Sequence, residues 1–155
     1  MDDPAGVHDA NRAVTGRRRV LVIDDEPWVA AALARVLSRS YEVESTTNAG
    51  DALDRVDRGQ RYEAILCDVC MPDLSGVEFH DELARRSPEL AHRIVFMTGG
   101  VRDPAVAHRL RALPNAVLSK PFDRVLVERA VASLVWGEGC SGPKVPEDLV
   151  GETVP

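Results

Sequence analysis

The feature that most constrains the fold of this chain is the alternation of short apolar runs with longer segments of helical periodicity. Runs with almost no polar residue are typical of parallel strands that are covered on both faces. Residues 41–45 instead alternate apolar and polar side chains, which indicates an edge strand with one wet face. Five strands alternating with five helices predict a doubly wound α/β sheet with right-handed crossovers. The nearly continuous apolar runs are residues 20–23, 64–67, 94–97 and 116–118.

The segments between the strands carry the starting signals of helices. The first segment has an apolar stripe formed by Val29, Leu33 and Leu37. Asn, Ser and Asp are favoured just before a helix because their side chains accept a backbone N–H that would otherwise lack a partner. We predict that the other four helices begin at such residues, which are Asn48, Ser75, Asp103 and Asp123.

Length and composition fit one soluble domain. The chain has 155 residues, of which 45% are hydrophobic and 28% charged, and its formal net charge is −6. An acidic chain lacks the basic surface that nucleic-acid binding needs, and no apolar stretch approaches the ~20 residues of a membrane span. Three cysteines without a secretion signal are typical of reduced thiols in a cytoplasmic protein. We expect a folded domain at residues 18–136, between a disordered arm (1–17) and a disordered acidic tail (137–155).

Polar residues follow four of the five predicted strands at the same end of each strand. In doubly wound sheets the carboxyl ends of the strands form the ligand site, so these side chains should share one edge of the sheet. The residues are Asp24 and Asp25 after the first strand, Asp68 after the third, Thr98 after the fourth and Lys120 after the fifth.

The residue types at this edge suit phosphoryl chemistry. Three carboxylates close together repel one another unless a cation lies among them, and oxygen ligands favour a hard cation such as Mg²⁺. A lysine can hold one phosphate oxygen, and a threonine hydroxyl can donate to another. With these groups around it, Asp68 is a nucleophile toward phosphorus that would form an aspartyl phosphate.

Four segments of the sequence resemble the receiver domain of two-component response regulators. They come in the order of that family, and the spacings between the acceptor, the threonine and the lysine also fit. The last two segments are also similar to receivers of hybrid histidine kinases. The resemblance covers about residues 18–136 and implies a flavodoxin-like sheet with strand order 2-1-3-4-5. The segments are VLVIDDEPWV (20–29), AILCDVCMPDLSGVEF (64–79), IVFMTGG (94–100) and VLSKPF (117–122).

The resemblance implies a metal site at the ends of the first and third strands. Asp25 would ligate Mg²⁺ directly, and Asp24 would orient a metal-bound water. Asp68 would be both the phosphoacceptor and a metal ligand. The backbone carbonyl of Cys70 would be a further ligand, so the side chain of that residue is not required there.

The resemblance also implies how the phosphoryl group is held and read out. Thr98 and Lys120 would contact it, and the bond between Lys120 and Pro121 would be cis. Thr98 would act as a switch together with the residue three positions before the lysine, where the family usually has Tyr or Phe. That residue is Val117 here, and a valine cannot report by the same ring motion.

Other conspicuous residues are interpreted as structural. Trp28 and Trp136 flank the core helices and are predicted to be packing residues. Cys67 and Cys70 spell a C-x-x-C motif, but the first cysteine ends a strand, whereas a redox cysteine normally begins a helix. Both cysteines are therefore predicted to be small buried side chains. His80 precedes an acid, as does the phosphorylated histidine of sensor kinases, but it lies inside a predicted helix and is interpreted as a surface histidine.

Taken together, these features predict a signalling switch rather than a metabolic enzyme. The protein would accept a phosphoryl group from a histidine kinase or a histidine phosphotransfer protein. It would act on an unidentified downstream protein, as a monomer or weak homodimer. Two alternatives stay open: a phosphorylation-independent binding module of the same fold, and a Mg²⁺-dependent phosphohydrolase with an aspartyl-phosphate intermediate. Such a hydrolase typically has an acid at the position of Cys70.

Overall fold

The computed structural model describes residues 17–137, so the predicted arm before residue 17 and the predicted tail after residue 137 lie outside the described residues. Five parallel strands form one sheet with the order β2-β1-β3-β4-β5, which confirms the predicted doubly wound architecture. The strands are β1 (Arg19–Ile23), β2 (Glu42–Thr46), β3 (Ala64–Asp68), β4 (Ile94–Thr98) and β5 (Val117–Ser119).

Six helices connect and cover the strands. Each of the four predicted starting residues accepts a backbone N–H of the helix that follows it, so these predictions are confirmed. Within the described range, no helix combines the length and the apolar character that a bilayer crossing requires. The helices are α1 (Pro27–Leu37), α2 (Ala49–Asp57), α3 (Gly76–Arg86), α4 (Pro88–Ala91), α5 (Pro104–Ala112) and α6 (Arg124–Trp136).

The predicted number of five helices was one too few, because Ser87 separates α3 from a short helix α4. Ser87 precedes Pro88, and the proline ring disfavours the helical backbone conformation for the residue before it. Ser87 accordingly has φ −153° and ψ 92°, which ends α3. Its hydroxyl then accepts the backbone N–H of Leu90 and starts α4. Apolar periodicity does not reveal this break, since Leu90 is buried in the same core as α3.

The sheet is covered on both faces. Alternate strand residues point to opposite faces, so each strand contributes to two core layers. One layer contains Leu21, Ile65 and Phe96 together with side chains of α2, α3, α4 and α5. The other layer contains side chains of α1 and α6. The strands between the layers are therefore rigid supports for the polar residues at their carboxyl ends.

The two tryptophans, which were predicted to be packing residues that flank the core helices, are both largely exposed. Trp28 is 71% exposed and Trp136 is 55% exposed. Trp28 precedes the stripe of α1 that begins at Val29, and the buried face of the helix therefore does not include it. Trp136 is the last residue of α6, and the guanidinium carbon of Arg18 lies 4.6 Å from the centroid of its ring.

Candidate functional site

Three aspartates converge where the neighbouring strands β1 and β3 end. One carboxylate oxygen from each of Asp24, Asp25 and Asp68 lies within 4.8 Å of the others. Asp24 is fully buried, Asp68 is 4% exposed, and Asp25 is half-buried. The parallel pairing of Ile23 with Cys67 brings the two strand ends to the same level, which places the carboxylates side by side. Negative charge is thus concentrated where water screens it poorly.

Lys120 is the cation that contacts this cluster. Its Nζ lies 2.9 Å from Oδ2 of Asp24 and 3.4 Å from Oδ1 of Asp68. Its backbone N–H donates to the carbonyl of Thr98 at 2.7 Å, and its bond to Pro121 is cis. Burial lowers the pKa of Lys120, but the hydrogen bond to Asp24 and the negative charge of Asp68 outweigh burial and leave the pKa above its ordinary value. The lysine therefore stays charged between the two carboxylates.

Asp68 holds its proton unusually tightly. Burial, followed by the negative charge of Asp24, raises its pKa to about 7, although Lys120 acts in the opposite direction. One ammonium group thus does not balance the carboxylates that surround it. A further cation placed among them would favour the ionised form of Asp68.

Asp24 is held rigidly in the cluster. Its Oδ1 accepts the backbone N–H of Glu26 at 3.0 Å, and its Oδ2 accepts a hydrogen bond from Lys120. Its own backbone N–H donates to the carbonyl of Thr46 in β2 at 3.2 Å. Both oxygens of Asp24 already have partners, whereas Asp25 is less buried and closer to solvent.

Thr98 ends β4 at the same edge and is 8% exposed. Its Oγ1 accepts the backbone N–H of Gly100 at 3.0 Å, which leaves the hydroxyl proton available to a ligand. Gly100 has φ +127°, a conformation that suits glycine. The Sγ of Cys70 lies 3.7 Å from the carbonyl oxygen of Gly100 and joins the two loops above the strands. Cys70 is exposed, so the prediction that it is buried was wrong, whereas Cys67 is buried as predicted.

Gly76 is a site residue that the sequence interpretation missed. A Cβ at this position would lie 2.5 Å from the carbonyl oxygen of Asp68, closer than real Cβ atoms come. The backbone N–H of Gly76 also donates to the carbonyl of Val69 at 2.9 Å. The start of α3 therefore lies directly against the backbone at the end of β3. A glycine immediately after the helix-starting Ser75 was the available signal.

Val117 is buried in β5 and pairs with Phe96 in the sheet. The position at which the family resemblance implies an aromatic ring is thus enclosed by the core. Phe96 is fully buried beside it, two residues before Thr98 in the same strand.

Comparison with known proteins points to one family. A family model described as "Response regulator receiver domain" matches residues 20–132. The transcriptional regulatory protein DegU of Brevibacillus brevis is 26% identical over 136 residues, which cover 86% of this chain and 57% of that protein. The sensor protein TorS of Escherichia coli is 25% identical over 115 residues, which cover 74% of this chain and 12% of that protein.

Solved structures share the fold. A response regulator receiver domain protein from Clostridium thermocellum superposes with a TM-score of 0.67 at 22% identity, covering 76% of this chain and 94% of that one. At that level of identity the match shows the architecture alone. The chain spans only part of the length of the curated relatives it matches, 57% for DegU and 12% for TorS.

Proposed function

Because the chain belongs to the response regulator receiver family of two-component signalling, we propose that it accepts a phosphoryl group from phosphohistidine on Asp68. The observation that carries the proposal is the set of Asp24, Asp25, Asp68 and Lys120 at one edge of the sheet. We assign the receiver to residues 18–136. Its role is that of a switch, and its chemistry is limited to gaining and losing its own phosphoryl group.

The carboxylates fit a magnesium ion by the chemistry of their donors. Mg²⁺ takes oxygen ligands, with one or two carboxylates, waters and phosphate oxygens. Asp25 and Asp68 would ligate it, the backbone carbonyl of Cys70 would add a ligand, and Asp24 would orient a bound water. Bound Mg²⁺ would neutralise negative charge on the phosphoryl oxygens and the carboxylates.

Asp68 is the nucleophile of the proposed transfer. As its oxygen bonds to phosphorus, the phosphorus–nitrogen bond of phosphohistidine breaks, and the leaving imidazole keeps the electron pair. Lys120 can exchange its contact with Asp68 for one with a phosphoryl oxygen, since its Nζ lies 3.4 Å from Oδ1 of Asp68. The hydroxyl proton of Thr98 can donate to a second oxygen. These groups stand in position before the reaction, which is how most catalysis of phosphoryl transfer is achieved.

A protein donor needs a surface beside the site on which to dock. An apolar groove with a volume of about 270 Å³ lies between α1 and the start of α6, and Lys120 forms part of its wall. Exposed Trp28 and half-buried Phe122 also line it. We propose that a histidine kinase or histidine phosphotransfer protein binds here, because its phosphohistidine would then be close to Asp68. A separate downstream protein would recognise the phosphorylated state.

The test is an adduct that depends on Asp68. The full chain is incubated with Mg²⁺ and acetyl phosphate, and phosphorylation is followed by intact-mass spectrometry. We expect an adduct in the wild type that is lost in Asp68→Asn and on chelation of Mg²⁺. Asp73→Asn is the matched control, because it removes an exposed carboxylate from the following loop at a residue with φ +66°, which Asn tolerates. An adduct of equal yield in Asp68→Asn would overturn the proposal.

A further inference from the structure

Helix α5 is only lightly anchored in the core. Of its nine residues, Ala107 and Leu110 are buried. The helix follows a loop that begins after Thr98 and contains Gly99 and Gly100. A helix with few buried apolar contacts is readily displaced, so specific contacts decide where it rests.

The specific contact is an ion pair between α3 and α5. An Nη of Arg109 lies 2.7 Å from Oδ1 of Asp81, and Nδ1 of His80 lies 3.3 Å from the same oxygen. Burial raises the pKa of Asp81, but its hydrogen bonds with Arg109 and His80 outweigh burial and leave the pKa below its ordinary value. Asp81 therefore stays ionised and holds both partners.

His80 extends this contact to the strand that carries Thr98. Only 11% of its side chain is exposed, so its assignment as a surface histidine was wrong. Its ring centroid lies 6.1 Å from that of Phe96, with the ring planes at 48°, a geometry typical of packed aromatic pairs. Phe96 precedes Thr98 by two residues, so the two side chains lie on the same face of β4.

We propose that His80, Asp81 and Arg109 form a tie that fixes α5 against α3 and links its position to Thr98 through Phe96. The inference rests on the proposed function, because its trigger is a phosphoryl group on Asp68. When that group engages the hydroxyl of Thr98, the end of β4 shifts, Phe96 moves against His80, and the hold of Asp81 on Arg109 loosens. Helix α5 is then free to move, and no ring at position 117 is needed for the readout.

The tie is tested first without any ligand, by hydrogen exchange of the α5 amides in the full chain. In Asp81→Asn we expect α5 to exchange about three- to tenfold faster than in the wild type, with exchange in the β-sheet unchanged. Glu82→Gln is the matched control. Glu82 is the next residue of α3, its side chain is equally 35% exposed, and its ion pairs with Arg85 and Arg86 stay within α3. Equal exchange of α5 in Asp81→Asn and Glu82→Gln would overturn the tie.

The link to Thr98 is tested with beryllofluoride and Mg²⁺, which mimic the phosphoryl group. We expect beryllofluoride to raise hydrogen exchange of α5 in the wild type to about the level that Asp81→Asn shows without the ligand. In His80→Leu, the ligand should raise α5 exchange less than in the wild type, because Phe96 no longer contacts a ring that is hydrogen-bonded to Asp81. A ligand response in His80→Leu equal to that of the wild type would overturn the link. Binding of beryllofluoride is followed separately by ¹⁹F NMR. Its absence in the wild type would count against the proposed function and the link, while the ligand-free comparison would still decide the tie.

Discussion

The carboxyl and amino edges of the sheet differ in how well their charged side chains are paired. At the carboxyl edge, three carboxylates face Lys120, the one lysine among the residues that the structure describes. At the amino edge, arginines are matched with acids and backbone carbonyls. Arg18 pairs with Glu63 at 2.5 Å, and Arg93 donates to the carbonyls of Glu63 and Leu134 at 3.1 and 3.4 Å. Arg19 likewise pairs with Glu44.

Because of this difference, the charges at the two edges should affect the stability of the fold in different ways. At the amino edge, the arginines have acids or backbone carbonyls as partners, so like charges do not repel one another strongly. Unmatched negative charges at the carboxyl edge destabilise the folded state unless a further cation lies among them. Substitutions at the two edges should therefore change the free energy of unfolding by different amounts. Removal of a carboxylate should raise the free energy of unfolding at the carboxyl edge and lower it at the amino edge.

Removal of Lys120 should have the largest effect. In metal-free buffer at pH 8, Lys120→Met leaves Asp24 and Asp68 without their cation, and we expect the free energy of unfolding to fall by about 4 kcal/mol. Added Mg²⁺ should restore part of this loss, because it replaces the missing charge. Urea unfolding with and without Mg²⁺ measures both effects. Arg124→Met, which removes an exposed cation from the start of α6, should change stability by less than about 0.5 kcal/mol. Equal losses in the two variants would contradict the comparison.

Removal of the Asp68 charge should act in the opposite direction. The pKa of Asp68 is about 7 in the folded protein and 3.8 in its ordinary state, so this group contributes stability below about pH 4 that is lost as the pH rises to about 7. Asp68→Asn should therefore stabilise the metal-free protein at pH 8 by on the order of 3 kcal/mol and have little effect at pH 4. Urea titrations at the two pH values provide the measurement, and a stabilisation that does not depend on pH would refute the electrostatic cause.

Gly76→Ala tests whether the carboxyl edge is also tightly packed. A Cβ would lie 2.5 Å from the carbonyl oxygen of Asp68 and force α3 away from β3. We expect a loss of about 2 kcal/mol in urea unfolding. Gly99→Ala is the control at the same edge, since its Cβ would make an ordinary contact of 3.9 Å with Lys120. If both variants have the same free energy of unfolding, the close approach at Gly76 does not limit the position of α3.

The smallest effect is expected at the amino edge. Glu63→Gln removes the carboxylate that pairs with Arg18, where the two side chains are 20% and 24% exposed. Because such pairs are partly solvated, the loss should be about 0.5 kcal/mol and should shrink at high salt. Urea unfolding in low and high salt checks this. A loss as large as that of Lys120→Met would mean that the two edges do not differ.

The strands and the polar edge could be predicted because both follow local rules. A buried parallel strand needs a continuous apolar run, and in a doubly wound sheet residues just after such runs reach the same edge. Asp24, Asp68 and Lys120 could therefore be placed near one another from sequence alone. The burial of these side chains and the distances between them could not be predicted. They depend on how β1 and β3 pair and on how far Lys120 reaches from the end of β5.

Features that depend on contacts between distant elements escaped prediction. Gly76 is important because of the backbone of Asp68, to which it is close only in the folded chain. His80 was assigned to the surface because nothing in its own segment shows that α3 places it against Phe96. Trp28 was predicted to be a packing residue, although its position on α1 exposes it. For Gly76 and His80, the deciding partner lies elsewhere in the sequence.

The contact between Arg18 and Trp136 brings the two ends of the described domain close together. Both lie at the amino edge, on the side of the sheet away from Asp68. A domain whose ends are adjacent can be spliced into a surface loop of another protein through two short linkers without disturbing either fold. Insertion at this end would leave the edge that carries Asp24, Asp68 and Lys120 on the opposite side of the domain from the linkers.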